Sequence, residues 1–154
     1  PHRVVKILTV AAPVHIAFEV FTQGIGRWWP MASHHIGEAE CQTVLIEPQV
    51  GGRWFERGVD GTECEWGRVL AWEPPHRVLL CWQLSAKFEF DPGLHTEVEA
   101  IFTALDANHT RLDFQHRGLD AYGPDALAMH GTFSSPNGWT GMLDAYAQAA
   151  TKVS

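Results

Sequence analysis

The chain has 154 residues, a length that suits one domain with a single hydrophobic core, and we expect that domain to span residues 1–154. Apolar residues make up 45% of the chain and its formal net charge is −7, which disfavours nucleic-acid binding, since that depends on Lys and Arg neutralising phosphates. No apolar stretch approaches the roughly 20 residues that span a bilayer and no leader pattern opens the chain, so we expect no membrane association and a cytoplasmic location.

The first part of the chain predicts one strand followed by two helices. Val4–Val10 is rich in β-branched residues and reads as a strand. Pro13–Thr22 is predicted to be an amphipathic helix, because apolar residues recur there at helical spacing. These residues are Val14, Ala17, Phe18 and Phe21. Ile25–Trp29 is predicted to be a short second helix that ends at Pro30.

From Thr43 the pattern changes to short strands separated by turns. Six strands are predicted, at Thr43–Glu47, Arg53–Arg57, Glu63–Trp72, Arg77–Leu84, Thr96–Leu105 and Thr110–Arg117. Turn residues separate them at Gly51-Gly52, Asp60-Gly61, Pro74-Pro75, Asp91-Pro92-Gly93 and Ala107-Asn108. Consecutive strands with short connections favour an antiparallel meander.

The C-terminal region predicts a turn-rich segment, from Pro124 to His130, and then one long helix. Ser135 suits the N-cap of this helix and Pro136 suits its first position. One face of the helix is apolar and consists of Trp139, Met142, Leu143, Tyr146 and Ala150. The predicted order is therefore β-α-α-β6-α, an α+β fold. Because a seven-stranded sheet must cover its apolar face, we expect a curved antiparallel sheet around the long C-terminal helix. A strongly curved sheet of this kind often leaves a cavity at its open end.

Strand alternation predicts which side chains face this helix. In the last three strands the inward sets are Val78, Leu80 and Trp82, then Val98, Ala100 and Phe102, then Leu112, Phe114 and His116. In Glu63–Trp72 the same parity holds Cys64, Trp66, Leu70 and Trp72, with Arg68 among them, which indicates a bulge near Gly67. In Arg53–Arg57 two alternatives stay open: either Trp54 and Glu56 face inward, or Phe55 does.

A few polar residues are candidates for function. His116 lies among apolar neighbours and is either a hydrogen-bonded core histidine or a polar group in a cavity. Glu56 and Glu65 either face a dry cavity as acids or pair with arginines on a solvated face. His34 and His35 lie in a predicted loop over the cavity mouth, as surface or gate residues. No sequence motif of a catalytic nucleophile with its base occurs.

Cysteine and histidine spacing argues against a metal or disulfide framework. Cys41, Cys64 and Cys81 are an odd number without CxxC spacing, and the nine histidines form no HExxH pattern. We therefore expect free thiols, no metal site and no cofactor.

Several short runs along the chain resemble the START-like (SRPBCC, helix-grip) superfamily, and within it the branch named after the activator of heat-shock-protein-90 ATPase. They include Gly51-Gly52-Arg53-Trp54, Trp66-Gly67-Arg68-Val69, Glu73-Pro74-Pro75-His76-Arg77-Val78 and Gly138-Trp139. The resemblance covers about Val4 to Ala150. It implies a helix-grip fold with a cavity between the sheet and the C-terminal helix, where relatives hold apolar molecules and some act as cyclases or dehydratases.

Three functional hypotheses follow. The first is binding of a small apolar or amphipathic molecule by ten inward residues: Trp54, Glu56, Trp66, Leu80, Trp82, Phe102, Phe114, His116, Trp139 and Leu143. The second is an enzyme of cyclase, dehydratase or hydrolase type that uses His116 and an inward Glu. The third is a chaperone-accessory or other protein-interaction module, for which Trp28-Trp29 would supply an exposed apolar patch. An open sheet edge or this Trp pair is also compatible with a homodimer.

Overall fold

Apolar–polar alternation builds a seven-stranded antiparallel sheet in the computed structural model, which describes residues 2–153. The strands are β1 Val4–Val10, β2 Cys41–Ile46, β3 Arg53–Gly58, β4 Glu63–Glu73, β5 Arg77–Trp82, β6 Thr96–Asp106 and β7 His109–Arg117. Their order is β1-β7-β6-β5-β4-β3-β2. The meander from β2 to β7 is thus confirmed, and β1 completes the sheet beside β7.

Three helices accompany the sheet: α1 Val14–Phe21, α2 Ala126–Ser134 and α3 Gly141–Val153. Short 3₁₀ turns occupy Ile25–Arg27 and Leu119–Asp125. None of the helices within residues 2–153 is long and apolar enough to cross a membrane.

The curled sheet surrounds α3 and the turn that precedes it, as the predicted helix-grip fold requires. Trp139, just before α3, packs on Phe114 of β7 with 4.6 Å between ring centroids. Tyr146 of α3 is fully buried, and its hydroxyl donates to the carbonyl oxygen of Ala17 in α1 at 2.7 Å. The core therefore lies between the concave face of the sheet and the helices α1 and α3.

In β3 the residues that face inward are Trp54 and Glu56, one of the two alternatives that the sequence left open, and both are buried on the concave side. Phe55 lies on the other face but is also buried. The Arg53 guanidinium covers it, 4.1 Å from the ring centroid. An arginine lid of this kind shields an aromatic ring on an otherwise polar face.

The prediction that Leu70 faces inward is wrong, because Leu70 is 36% exposed whereas Val69 is buried. The pairing of β4 with β5 shifts register between Val69 and Ala71, so one extra residue is accommodated there. A bulge reverses the facing of the residues beyond it, and Val69, which precedes this shift, is already buried, so the reversal that turns Leu70 outward begins at the earlier bulge near Gly67. The sequence indicated a bulge near Gly67, and β3 and β4 do shift register there too, between Trp54 and Phe55.

The segment before α3 differs most from its prediction. Part of the predicted turn-rich segment belongs to α2, and Ala126, Met129 and Phe133 of this helix are buried. Ser135 has an extended backbone but its hydroxyl bonds to Thr132 instead of capping a helix. The turn over Pro136–Thr140 departs from helical geometry at Gly138 (φ −96°, ψ −142°), so α3 begins only at Gly141.

Candidate functional site

The concave face carries a cluster of tryptophan rings next to the mouth of the sheet. Trp54, Trp66 and Trp82 come from β3, β4 and β5, and their rings contact one another at centroid distances of 5.4 to 6.4 Å. Trp29 joins from the chain after α1, 5.0 Å from Trp66, and Trp139 joins from the opposite side, 5.9 Å from Trp82. Alternation brings three strands' rings to one face, so the cluster follows from strand register.

A cavity of about 330 Å³ borders this cluster. Its walls are mainly apolar and are formed by Trp29, Ile36, Trp66, Trp82, Leu84, Phe88, Phe133, Gly138 and Met142. Its polar residues are Ser33, His34, His35, Thr132 and Asn137. The cavity thus lies between the loop after Pro30, the strands β4 and β5, and the segment from α2 to α3.

His116 is a hydrogen-bonded core histidine behind the cavity. Trp139 Nε1–H donates to its Nδ1 at 3.1 Å, and its Nε2–H donates to the Thr96 hydroxyl at 2.9 Å. That hydroxyl in turn donates to the Trp82 carbonyl oxygen at 2.8 Å. Burial without a counter-charge lowers the pKa of His116 to about 3, so the ring is neutral near pH 7. Both ring nitrogens are already used, which leaves none for a ligand.

Glu56 is a buried carboxylate that holds the loop over the cavity. The backbone N–H groups of Ile36 and Gly37 donate to its two oxygens at 2.6 and 3.1 Å. Trp66 Nε1–H, from the cavity wall, donates to Oε1 at 2.9 Å. Three N–H donors suit an ionised carboxylate, which can only accept. Glu56 therefore joins β3, β4 and the loop in one polar contact.

The two adjacent histidines of the loop have different contacts. His34 Nε2 lies 2.6 Å from the carbonyl oxygen of Asn137, so it connects the loop to the turn before α3. Its Nδ1 lies 2.7 Å from the Ser33 hydroxyl. His35 Nδ1 lies 3.0 Å from the carbonyl oxygen of Gly37 and 3.8 Å from Glu56 Oε2. Both rings line the cavity.

A thiol with a neighbouring histidine lies elsewhere, between β5 and β6. Cys81 Sγ is 3.4 Å from His95 Nδ1, and His95 Nε2 is 2.8 Å from Glu97 Oε2. Burial and then the Glu97 charge raise the pKa of the Cys81 thiol, which disfavours the thiolate. Among residues 2–153, no group of three or more His, Cys, Asp or Glu side chains is arranged to hold a metal ion.

The sequence comparison that decides the family covers most of the chain. The model of the family described as "Activator of Hsp90 ATPase homolog 1-like protein" (AHSA1) matches residues 11–150. The chain belongs to the AHSA1 family. No curated protein sequence matches it.

Solved structures place this AHSA1 protein among helix-grip neighbours. A structure of "an anthrahydroquino-Gama-pyrone synthase Txn09" is 35% identical over 96% of each chain, with a TM-score of 0.67. The self-sacrificing resistance protein CalC from Micromonospora echinospora is 24% identical, over 98% of this chain and 95% of that one, with a TM-score of 0.73. An HSP90 activator from Plasmodium falciparum is 17% identical over 76% of this chain and 73% of that one (TM-score 0.54), a likeness of fold alone.

The structure brings the ten residues predicted to bind ligand to one side of the AHSA1 sheet, in three groups. Trp66 and Trp82 line the cavity. Trp54, Glu56, His116 and Trp139 contact these two rings from behind. Leu80, Phe102, Phe114 and Leu143 are buried in the core. Trp54 is distinctive, since its buried Nε1–H has no hydrogen-bond partner within residues 2–153.

Two features of the site differ from the sequence-based interpretation. Trp28-Trp29 does not form an exposed patch, because each residue is only 5% exposed and both indole N–H groups donate to backbone carbonyls. Phe133 and Met142 were missed as cavity residues. The spacing of Ala126, Met129 and Phe133, at i, i+3 and i+7, could have indicated the buried face of α2.

Proposed function

We propose that this AHSA1 protein binds a fused-ring aromatic molecule of the polyketide type, one form of the small apolar or amphipathic ligand that the sequence predicts. The observation that carries the proposal is the cavity with tryptophan and phenylalanine walls and a polar rim. The synthase that shares 35% identity along nearly the whole chain is named for an anthrahydroquino-γ-pyrone, which contains a fused aromatic ring system. Both observations favour a flat, largely apolar ligand.

The size and chemistry of the cavity support this ligand class. A volume of about 330 Å³ is at the low end of the range for small-molecule sites, which is about 300–1,000 Å³. Trp66, Trp82 and Phe133 present aromatic surfaces that can pack against a planar ring. Ser33, His35 and Asn137 supply polar atoms for hydroxyl or carbonyl substituents. We assign direct contacts to Trp66 and Trp82, and give the other eight predicted residues a supporting role behind them.

The test is a binding titration with 2-hydroxyanthraquinone as the probe. We expect saturable quenching of tryptophan fluorescence with one site per chain, because ring stacking would place the probe against Trp66 and Trp82. Thr132→Trp, an exposed cavity-lining position, should fill the space and weaken binding by a factor of at least about ten, equivalent to about 1.4 kcal/mol.

The matched control is Thr103→Trp, which adds the same side chain at an exposed position of β6 outside the cavity. It should bind the probe as the wild type does. Equal binding by Thr132→Trp and Thr103→Trp, or no saturable binding by the wild type, would contradict the proposal.

A cytoplasmic location and a homodimer remain predictions. The homodimer is supported by β1, because it is an edge strand whose Val5 and Ile7 are more than half exposed. Light scattering from the purified protein measures its mass in solution, and a monomer at every concentration tested would exclude the dimer.

A further inference from the structure

His35 has a ring nitrogen that its own loop leaves available to the cavity. Its Nδ1 lies 3.0 Å from the Gly37 carbonyl oxygen, which can only accept, so Nδ1 carries the proton. In the neutral ring Nε2 then has a free lone pair. Within residues 2–153, Nε2 has no hydrogen-bond partner. Because His35 lines the cavity and Nδ1 is engaged by the loop, Nε2 is the atom that a ligand can reach.

The neighbouring His34 lacks this property, although it lines the same cavity. Both of its ring nitrogens are engaged, Nε2 with the Asn137 carbonyl oxygen and Nδ1 with the Ser33 hydroxyl. His34 therefore connects two walls of the cavity, whereas His35, in the same wall, keeps one ring nitrogen without a partner.

The buried Glu56 carboxylate is placed to stabilise a positive charge on His35. Its Oε2 lies 3.8 Å from His35 Nδ1, and its hydrogen bonds to the N–H groups of Ile36 and Gly37 fix the backbone that carries His35. A base whose orientation is fixed by one group and whose protonated form faces a carboxylate is the usual arrangement for general-base catalysis by histidine.

We propose that His35 is the general base of a catalytic site in this cavity and that it takes a proton from a hydroxyl group of the bound aromatic molecule. This inference rests on the proposed function, because it needs the ligand in the cavity. In the step the ligand's O–H bond breaks, its electron pair stays on the oxygen, and an N–H bond forms at Nε2. The ligand becomes an oxyanion and His35 an imidazolium.

The class of reaction follows from the oxyanion. An ionised oxygen is a better nucleophile than a hydroxyl, so it can attack an electrophilic carbon of the same molecule and close an oxygen-containing ring. The electron pair displaced by this attack leaves a negative charge on the carbon framework, and His35 returns its proton to that centre. The overall change is therefore an isomerisation that needs no oxidant, reductant or second substrate.

The experiment follows the ionisation of bound 2-hydroxyanthraquinone, whose visible absorption moves to longer wavelength when the hydroxyl group loses its proton. The measurement is made below the pH at which the free probe ionises. We expect the wild type to show the phenolate band on binding. His35→Asn keeps a side-chain N–H for the Gly37 carbonyl but lacks the distal base, so it should bind the probe in its neutral form and lose the band.

Two controls separate the possible failures. 2-Methoxyanthraquinone has no proton to lose, so its binding by His35→Asn shows that the cavity is intact; His35→Gln serves as a second variant if His35→Asn does not fold. His109→Asn, which changes an exposed histidine of the β6–β7 hairpin, should keep the wild-type spectrum. An equal phenolate band in wild type and His35→Asn, or no such band in the wild type, would overturn the inference and leave the proposed function standing. Failure of the wild type to bind either compound would overturn both.

Discussion

His116 and Glu56 are two buried polar residues on the concave face, and they differ in their hydrogen-bond partners. His116 is fully buried with neutral partners, and its low pKa reflects that burial. Glu56 is equally buried but accepts three N–H donors. A buried polar group is tolerated where its hydrogen bonds are complete. Both residues are therefore structural supports behind the cavity, and His35 is the base that we propose for the ligand.

The burial of His116 predicts a specific pH dependence of stability. Below about pH 6.5 the unfolded chain binds a proton at this residue, while the folded chain, with its pKa of about 3, does not. The free energy of unfolding should thus fall as the pH decreases from about 6.5 toward 3, by up to about 1.4 kcal/mol per pH unit from this residue.

His116→Gln isolates that contribution. At pH 7 the variant should be less stable than the wild type by about 1–3 kcal/mol, because Trp139 or Thr96 loses a well-placed partner. As the pH falls, the difference in the free energy of unfolding between wild type and variant should narrow, because the wild type loses stability through His116 whereas glutamine does not titrate. Urea unfolding at several pH values between 7 and 4 measures the stability difference and its change with pH. A difference that stays constant would show that His116 is not kept neutral by burial.

Glu56 should contribute more to the free energy of unfolding than Glu65, a glutamate on the neighbouring strand β4. Glu56→Gln replaces an acceptor by an NH₂ group that faces N–H donors, and we expect a loss of about 1.5–3 kcal/mol, the range for hydrogen bonds to charged groups. Amide hydrogen exchange at Ile36 and Gly37 should also accelerate. Glu65→Gln is the control, because Glu65 is 30% exposed and pairs with Arg68, which is 47% exposed, so we expect a smaller loss. Equal effects of the two substitutions would contradict the role given to Glu56.

At the residue scale, the sequence predicted the inward side chains of β5, β6 and β7 because the strand register is continuous along them and shifts only beyond Ala104 in β6. It did not predict the contact between His35 and Glu56, which depends on a loop conformation that no periodicity encodes. It suggested a loop over the cavity mouth at His34 and His35, and both residues do line the cavity.

At the scale of elements, the turn between α2 and α3 shapes one wall of the cavity. Gly138 lies in this turn with a non-helical backbone. A β-carbon there would lie 2.5 Å from the carbonyl oxygens of Phe133 and Thr132, which are backbone atoms and cannot move aside alone. The close approach of these two segments therefore requires glycine.

Gly138→Ala should consequently destabilise the protein by about 1–3 kcal/mol, the usual cost of overpacking. Gly131→Ala provides the matched control in α2, because a β-carbon there meets nothing within 4 Å. Alanine is the better helix former, so this control should leave stability unchanged or raise it by up to about 1 kcal/mol. Thermal unfolding measures both variants, and a Gly138→Ala protein as stable as Gly131→Ala would contradict the close approach.

The strands were the most predictable elements, since β-branched runs between turn residues fix them locally. The segment before α3 was the least predictable. Gly131 weakens the helical pattern of α2, and the Ser135-Pro136 pair resembles a helix start although the continuous helix begins at Gly141. Ala126, Met129 and Phe133 are buried and pack α2 against the rest of the protein, a contribution that the local pattern does not reveal.

At the scale of the whole molecule, the curved sheet around α3 could be predicted because seven strands need one long cover. The position of the cavity could not be predicted from the sequence. Empty space is the small difference between the volume enclosed by the elements and the volume of their side chains, so shifts of less than an ångström decide it. Here the space lies beside the tryptophan cluster, between the loop after Pro30 and the turn at Gly138.

The most direct test of the central claim is a crystal structure of the protein with bound 2-hydroxyanthraquinone. We expect electron density for the ring system between Trp66, Trp82 and Phe133, with the hydroxyl oxygen within hydrogen-bonding distance of His35 Nε2. An empty cavity in crystals grown with saturating probe, or the probe bound only on the outer face of the sheet, would contradict it.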